Sequence, residues 1–187
     1  MNELQLLIER CKNHERKAQL ELYKWWFPDL MRMATRYKKN REDAAALINT
    51  AFLKIFTNIE KYKTSVPFDA WIRTIMKNTI IDEYRKESKN SESASEFLNE
   101  DGEEIIYSEA SVDYNLIENE MSAEEAERIL YRLEERERIV FNMFELDGYS
   151  HKEIAETMKM SERTSKRYLV SAKNKLQQMV KQLMVNC

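Results

Sequence analysis

The side chains best suited to chemistry lie close together near the C-terminal end. Arg163, Thr164, Lys166 and Arg167 fall within five residues of one another. Guanidinium and ammonium groups pair with guanine acceptors and with phosphate oxygens, so the chemistry implied is recognition of nucleic acid. The bland alternative is a solvated helix face. Covalent chemistry has little support. Cys11-x-x-His14 has metal-like spacing but no second pair near it, and reads as structural. His14 and His151 are the only histidines, neither beside a nucleophile pattern, and no Gly-rich phosphate loop occurs. No catalytic residue, metal or cofactor is expected, and the chain is not read as an enzyme.

The elements that must position the basic cluster occupy residues 150–176. Ser150 and Glu153 form an S-x-x-E capping box that starts a helix, with Ile154, Ala155 and Met158 on its inner face. Lys159-Met160 is the turn. Lys159 stands where many such turns carry Gly, at a cost of about 1 kcal/mol if φ is positive. Ser161 caps the second helix, Glu162 sits in its first turn, and Leu169, Ala172 and Leu176 supply its buried stripe. This is the layout of a helix-turn-helix, whose second helix enters the major groove.

A second cluster lies at residues 59–86. Lys61 and Lys63 flank Tyr62 in a polar loop, and Pro67 restarts a helix in a position where its missing N–H costs nothing. Projected at 100° per residue, Phe68, Ile72, Ile75, Met76 and Ile80 gather on one side. Arg73, Lys77, Asn78 and Arg85 occupy the other, together with Trp71 and Tyr84. Aromatic rings among cations suit a single strand, whose bases stack while the cations hold the backbone. Packing of Trp71 and Tyr84 against the first helices is the competing account.

Upstream, residues 3–38 read as two helices. Leu4, Leu7, Ile8 and Cys11 begin one apolar stripe, and Leu20, Tyr23, Phe27, Met31 and Ala34 make another. Phe27-Pro28 predicts a bend or break, and Trp25 and Trp26 are expected to pack in a core or interdomain contact. Asn40 caps a helix over residues 40–58, whose apolar positions Ala44, Leu47, Ile48, Ala51, Phe52, Ile55 and Phe56 follow the i, i+3, i+4, i+7 pattern.

With 43% hydrophobic residues, 34% charged, and only two Gly and two Pro in 187 residues, the chain is expected to be nearly all helix, in one or two small domains. No apolar run reaches transmembrane length and no signal-peptide core is present, so a cytoplasmic protein without a membrane segment of its own is expected. Two cysteines give no disulfide framework. Charge is segregated. Lys+Arg against Asp+Glu is 13 to 7 over residues 30–90, 0 to 13 over residues 91–127, and 12 to 8 over residues 128–187. The Ser/Asn/Glu-rich stretch from 88 to 122 is expected to be disordered when free, with short docking elements at 105–107 and at Val112, Leu116 and Ile117. Ser122-x-x-Glu125 caps the next helix, Ile129, Leu130, Leu133, Ile139, Val140, Phe141, Phe144 and Leu146 build a second core, and Asp147-Gly148 turns into Ser150.

With both halves read, NREDAAALINTAFLKIF (40–56), PFDAWIRTIMKNTIIDEYRK (67–86) and LEERERIVFNMFELDGYSHKEIAETMKMSERTSKRYLVSAKNKL (133–176) resemble, in order and spacing, sigma factors of the extracytoplasmic-function (ECF) type, the minimal two-domain form of the sigma-70 family. The resemblance implies an all-α fold of two small helical domains. Residues 1–89 would be the region 2 bundle, 90–122 a flexible acidic linker threading the polymerase channel reserved for RNA, and 123–187 the region 4 helix-turn-helix. It implies docking of the 43–56 helix on the clamp helices of the largest subunit of bacterial core RNA polymerase, through Asp43, Leu47, Asn49, Thr50, Phe52 and Leu53, and a further contact with the flap. Lys61, Tyr62, Lys63, Trp71, Arg73, Lys77, Asn78 and Arg85 would read and melt the promoter −10 element. Arg163, Thr164, Lys166 and Arg167 would read the −35 element. An anti-sigma factor is a possible further partner. This chain departs from the family at Ala45, Ala46, Asn49 and Thr50, where an acidic pair and Gln-Glu are usual, at Glu134 for Pro, and at Ser165 for an apolar residue. A DNA-binding regulator that works without polymerase is the competing function, against which the −10-like helix and the linker argue.

Overall fold

The computed structural model describes residues 2–90 and 123–185, and every regular element among them is helical. The chain divides into two units, the first ending at Glu87 and the second beginning at Ser88. The expected cap at Ser122, the docking elements at 105–107, Val112, Leu116 and Ile117, and the acidic stretch from 91 onward lie outside the described residues.

The first unit contains α1 (Glu3–Lys12), α2 (Arg16–Ala34), α3 (Arg41–Asn58), a 3₁₀ turn (Ile59–Lys61) and all but the last three residues of α4 (Phe68–Asn90). The starts of α1 and α3 are set locally. The Asn2 carboxamide accepts the Gln5 N–H at 2.8 Å while Gln5 reaches back to the Asn2 N–H, and Asn40 accepts the Asp43 N–H at 2.7 Å. These bonds satisfy donors that have no partner inside the helix. The chain leaves α1 through His14, a non-glycine residue at φ 57°. Burial of Leu7, Ile8, Leu22, Leu30, Ile48 and Ile55, closed below by Ile59 and by Phe68, Ile72 and Met76 of α4, forms the core.

Two expectations for α2 are corrected in part. The helix runs unbroken through Pro28. Pro28 and Lys24, whose carbonyl loses its N–H partner there, both lie on the exposed side, so water can satisfy the carbonyl and no break is forced. The buried stripe is Ala18, Leu22, Trp26, Leu30 and Met33, with Met31 and Ala34, whereas Leu20 is 54% exposed. The helix is apolar on more than one side, and packing against α1 and α3 selects the side. Tyr23 and Phe27 instead join a row of rings with Phe52 and Phe56, at centroid separations of 4.6–5.7 Å. Of the tryptophan pair, Trp26 is buried and Trp25 is 47% exposed.

The second unit contains α5 (Ala123–Leu130), α6 (Glu135–Phe141), one wide π-helical turn (Asn142–Leu146), α7 (His151–Met158) and α8 (Glu162–Val185). Ile129, Leu133, Val140, Ile154, Leu169, Ala172 and Leu176 are buried together at its centre, as the apolar spacing requires. Leu146, placed with them from the sequence, is 46% exposed because it ends the π turn. Glu134 is the N-cap of α6 at φ −59°, an angle that proline would also adopt. Its neighbour Glu137 is buried and ties α6 to α8, accepting hydrogen bonds from Ser171 Oγ at 2.6 Å and Lys175 Nζ at 2.7 Å.

Candidate nucleic-acid interface

In the second unit the helix-turn-helix is assembled from local bonds. Glu153 accepts from the Ser150 N–H at 2.8 Å and from its hydroxyl at 2.7 Å, and Ser150 Oγ accepts the Glu153 N–H at 3.3 Å. The Ser150 hydroxyl bond, with the backbone bond beside it, holds the Glu153 carboxyl below its ordinary range. The turn places Lys159 at φ 53°, ψ 50°, in the left-handed region, where it closes α7. The strain of a side chain there is about 1 kcal/mol. Ser161 Oγ then accepts the Thr164 N–H at 3.0 Å and lies 2.8 Å from the Thr164 hydroxyl, starting α8.

With α8 anchored by Leu169, Ala172 and Leu176, its first turns direct Arg163 and Lys166 to solvent, and Arg167 lies half-buried beside them. Positions 163, 166 and 167 are related by i, i+3 and i+4 and share one side. Thr164 is half-buried and engaged with Ser161, so its side chain takes part in starting α8. Ser165 is wholly buried; its hydroxyl lies 2.9 Å from His151 Nδ1, and the imidazole stacks on Phe144 at 4.4 Å. That partner explains how a polar residue is tolerated there. Lys152, at the start of α7, and Lys159, in the turn, are also exposed cations of this motif. Their signal in the sequence was their charge alone.

In the first unit the loop and α4 carry the other cluster. Lys61, Lys63, Arg73, Asn78 and Arg85 are exposed, and Lys77, Trp71 and Tyr84 are half-buried. Trp71 lies against Tyr62 at 5.3 Å and Phe68 at 5.5 Å. Phe68 in turn meets Trp26 edge-on at 6.0 Å. Trp71 is therefore a half-buried ring of a cluster that begins in the core.

On α3, Asp43, Asn49, Thr50 and Leu53 face outward, and Leu53 is 69% exposed. Leu47 and Phe52 do not join them. Both are buried in the bundle, because they fall on the same 3.6-residue stripe as Ile48 and Ile55. They shape the helix and cannot themselves form a docking surface. Asn49 accepts a hydrogen bond from the Tyr23 hydroxyl at 3.0 Å, and the Thr50 hydroxyl donates to the Ala46 carbonyl at 3.1 Å. Cys11 is buried and its thiol is pushed up to about 11 by desolvation, while His14 lies at the surface near Glu60. Among the described residues no three His, Cys, Asp or Glu side chains converge as a metal would require. No described helix is long and apolar enough to cross a membrane.

Comparison with known families decides the assignment. The sigma-70 region 2 model matches residues 22–90, and the sigma-70 region 4 model matches residues 123–176. This chain belongs to the sigma-70 family. It is an ECF-type sigma factor, with α2–α4 in region 2 and α5 through the first part of α8 in region 4. Among curated relatives, the ECF RNA polymerase sigma-E factor of Haemophilus influenzae is 26% identical over 184 residues, covering 96% of each chain. Solved structures that align with it include CnrH in complex with the cytosolic domain of CnrY, at 16% identity, 94% and 96% coverage and TM-score 0.47. The sigma factor RpoE in complex with the anti-sigma factor NepR from Bartonella quintana aligns at 18% identity, 86% and 95% coverage and TM-score 0.45.

Proposed function

We propose that this sigma factor binds core RNA polymerase and directs it to promoters whose two boxes it reads with separate units. The observation that carries the reading is the presence, in one chain, of two exposed cationic surfaces of different character. One is a helix-turn-helix with Arg163 and Lys166 turned outward, suited to a duplex groove. The other sets exposed Lys61, Lys63, Arg73 and Arg85 around half-buried Trp71 and Tyr84, suited to an unpaired strand. The first would take the −35 element and the second the −10 element. Extruding a base costs a few kcal/mol, which ring and pocket contacts must offset.

The surface offered to the polymerase clamp is the outer side of α3, reduced to Asp43, Asn49, Thr50 and Leu53, with contact to the flap assigned to the second unit. Residues 90–122 would be the linker, and an anti-sigma protein is a further partner in this reading. Run-off transcription with purified core enzyme on genomic fragments, followed by start-site mapping, tests it. The chain is expected to co-migrate with core enzyme on gel filtration and to confer discrete start sites. Binding to DNA without either property would make it a regulator independent of polymerase.

A further inference from the structure

We propose that Tyr62 is a positioning residue whose hydroxyl holds the 62–66 loop in shape, and not a ring on which a base stacks. Three observations carry this. The Tyr62 hydroxyl donates to the Val66 carbonyl at 2.7 Å, spanning the loop from one end to the other. Inside that span the Val66 N–H donates to the Lys63 carbonyl at 3.1 Å, so the segment is closed twice. The ring itself is occupied. It meets Phe68 edge-on at 5.1 Å and 86°, and lies against Trp71 at 5.3 Å and 50°. Phe68 is buried in the core, which gives the loop a fixed footing.

The consequence is a division of labour within the loop. Tyr62 is half-buried and points inward, while Lys63, Thr64, Ser65 and Val66 are exposed. A loop of this length without its fastening would sample many conformations, and ordering it on binding would cost conformational entropy for each residue fixed. The hydroxyl bond has removed part of that cost before any strand arrives. The same ring supports one side of Trp71, so it orients that half-buried ring as well. This inference rests on the reading of the loop and α4 as the surface for the unpaired promoter strand.

Tyr62→Phe in the full-length chain separates the two roles, because it keeps the ring and deletes only the hydroxyl. Limited trypsin digestion of the free protein measures cleavage after Lys63, with cleavage after exposed Lys17 as the internal reference. The variant is expected to be cut after Lys63 about three- to tenfold faster than wild type, in line with the loss of one hydrogen bond. In the holoenzyme, affinity for a fluorescent single strand carrying the non-template −10 sequence of a mapped start site is expected to fall by a similar factor. Affinity for −35 duplex should stay as in wild type, a split that general destabilisation would not produce. Equal cleavage rates in Tyr62→Phe and wild type would overturn the fastening role. Faster cleavage with unchanged strand affinity would instead overturn the reading of the loop as a strand-binding surface. If Tyr62→Phe matches wild type in both arms while Tyr62→Ala loses strand binding at an unchanged melting temperature, Tyr62 is a stacking platform and the proposal is wrong.

Discussion

Glu137→Gln should loosen the recognition helix from its own domain and leave the other unit untouched. The Glu137 side chain is 4% exposed and accepts from Ser171 Oγ at 2.6 Å and Lys175 Nζ at 2.7 Å. It also accepts the Glu134 N–H at 3.3 Å, capping α6. The amide preserves volume and one acceptor, but it loses the charge and turns an NH₂ toward one of these donors. Hydrogen bonds to a charged group contribute about 1.5–3 kcal/mol each. Lys175 is 40% exposed and can be rehydrated, which places the net loss at or below the lower end of the ~3–5 kcal/mol for a broken buried pair. A loss of about 2–3 kcal/mol in a unit of this size lowers Tm by roughly 8–24 °C. The assay is built into the sequence. All three tryptophans, Trp25, Trp26 and Trp71, lie in the first unit, so indole fluorescence follows that unit while far-ultraviolet circular dichroism follows both. The dichroism transition is expected to acquire an early component with the fluorescence midpoint fixed. Lys175→Met, which strands the carboxylate with only the Ser171 hydroxyl and the Glu134 N–H as donors, should cost at least as much. A dichroism curve that moves by less than about 2 °C in Glu137→Gln would show that the buried carboxylate does not hold α6 to α8.

Other perturbations probe the proposed interfaces. Replacing Arg163 and Lys166 together by Ala should weaken binding to −35 duplex and reduce the slope of log K against log salt by about 1–2, and an unchanged slope would remove both from the phosphate contacts. On α3, Leu53→Asp should reduce core polymerase affinity at constant Tm, because the side chain is 69% exposed, whereas buried Leu47→Ala should cost about 2–5 kcal/mol of stability; isothermal titration and melting curves separate the two. Trp71→Ala in the holoenzyme should lower permanganate reactivity of −10 thymines, and equal reactivity at unchanged stability would return Trp71 to a packing role. Burial and then Lys166 hold the His151 imidazole below its ordinary value, with Lys173 adding to them against Glu162 and Glu145. The native state therefore favours the neutral ring, so its contribution is present above about pH 6.5 and is lost as pH falls through the lowered native value. The second unit's melting midpoint should drop on that acid side, and His151→Phe, which keeps the stack on Phe144, should flatten the drop.

What could be read from the sequence alone was whatever depends on neighbours a few residues away. The capping box at Ser150, the Ser161 and Asn40 caps, the restart after Pro67 and the apolar faces of α3, α4 and α8 are all settled within one or two helical turns. The left-handed turn at Lys159 belongs with them, since the helix on each side demands it. The order of these local signals was enough to carry the family resemblance.

Tertiary structure decided the questions in which several local answers were equally good. Helix α2 has apolar residues on two sides, and only packing against α1 and α3 chose Leu22 and Trp26 over Leu20. Pro28 signals a break in any window of sequence, but the Lys24 carbonyl it leaves unpaired lies on the exposed side of the helix, and the helix continues. Leu47 and Phe52 resemble Leu53 as apolar residues of a docking helix, and the core absorbs the first two and leaves the third outside. His151 and Ser165 are 14 residues apart and Glu137 and Lys175 are 38 apart, so no spacing rule joins them. A side chain's job follows from which distant surface arrives to cover it, and that is settled by how the helices stack, not by the order in which they are written.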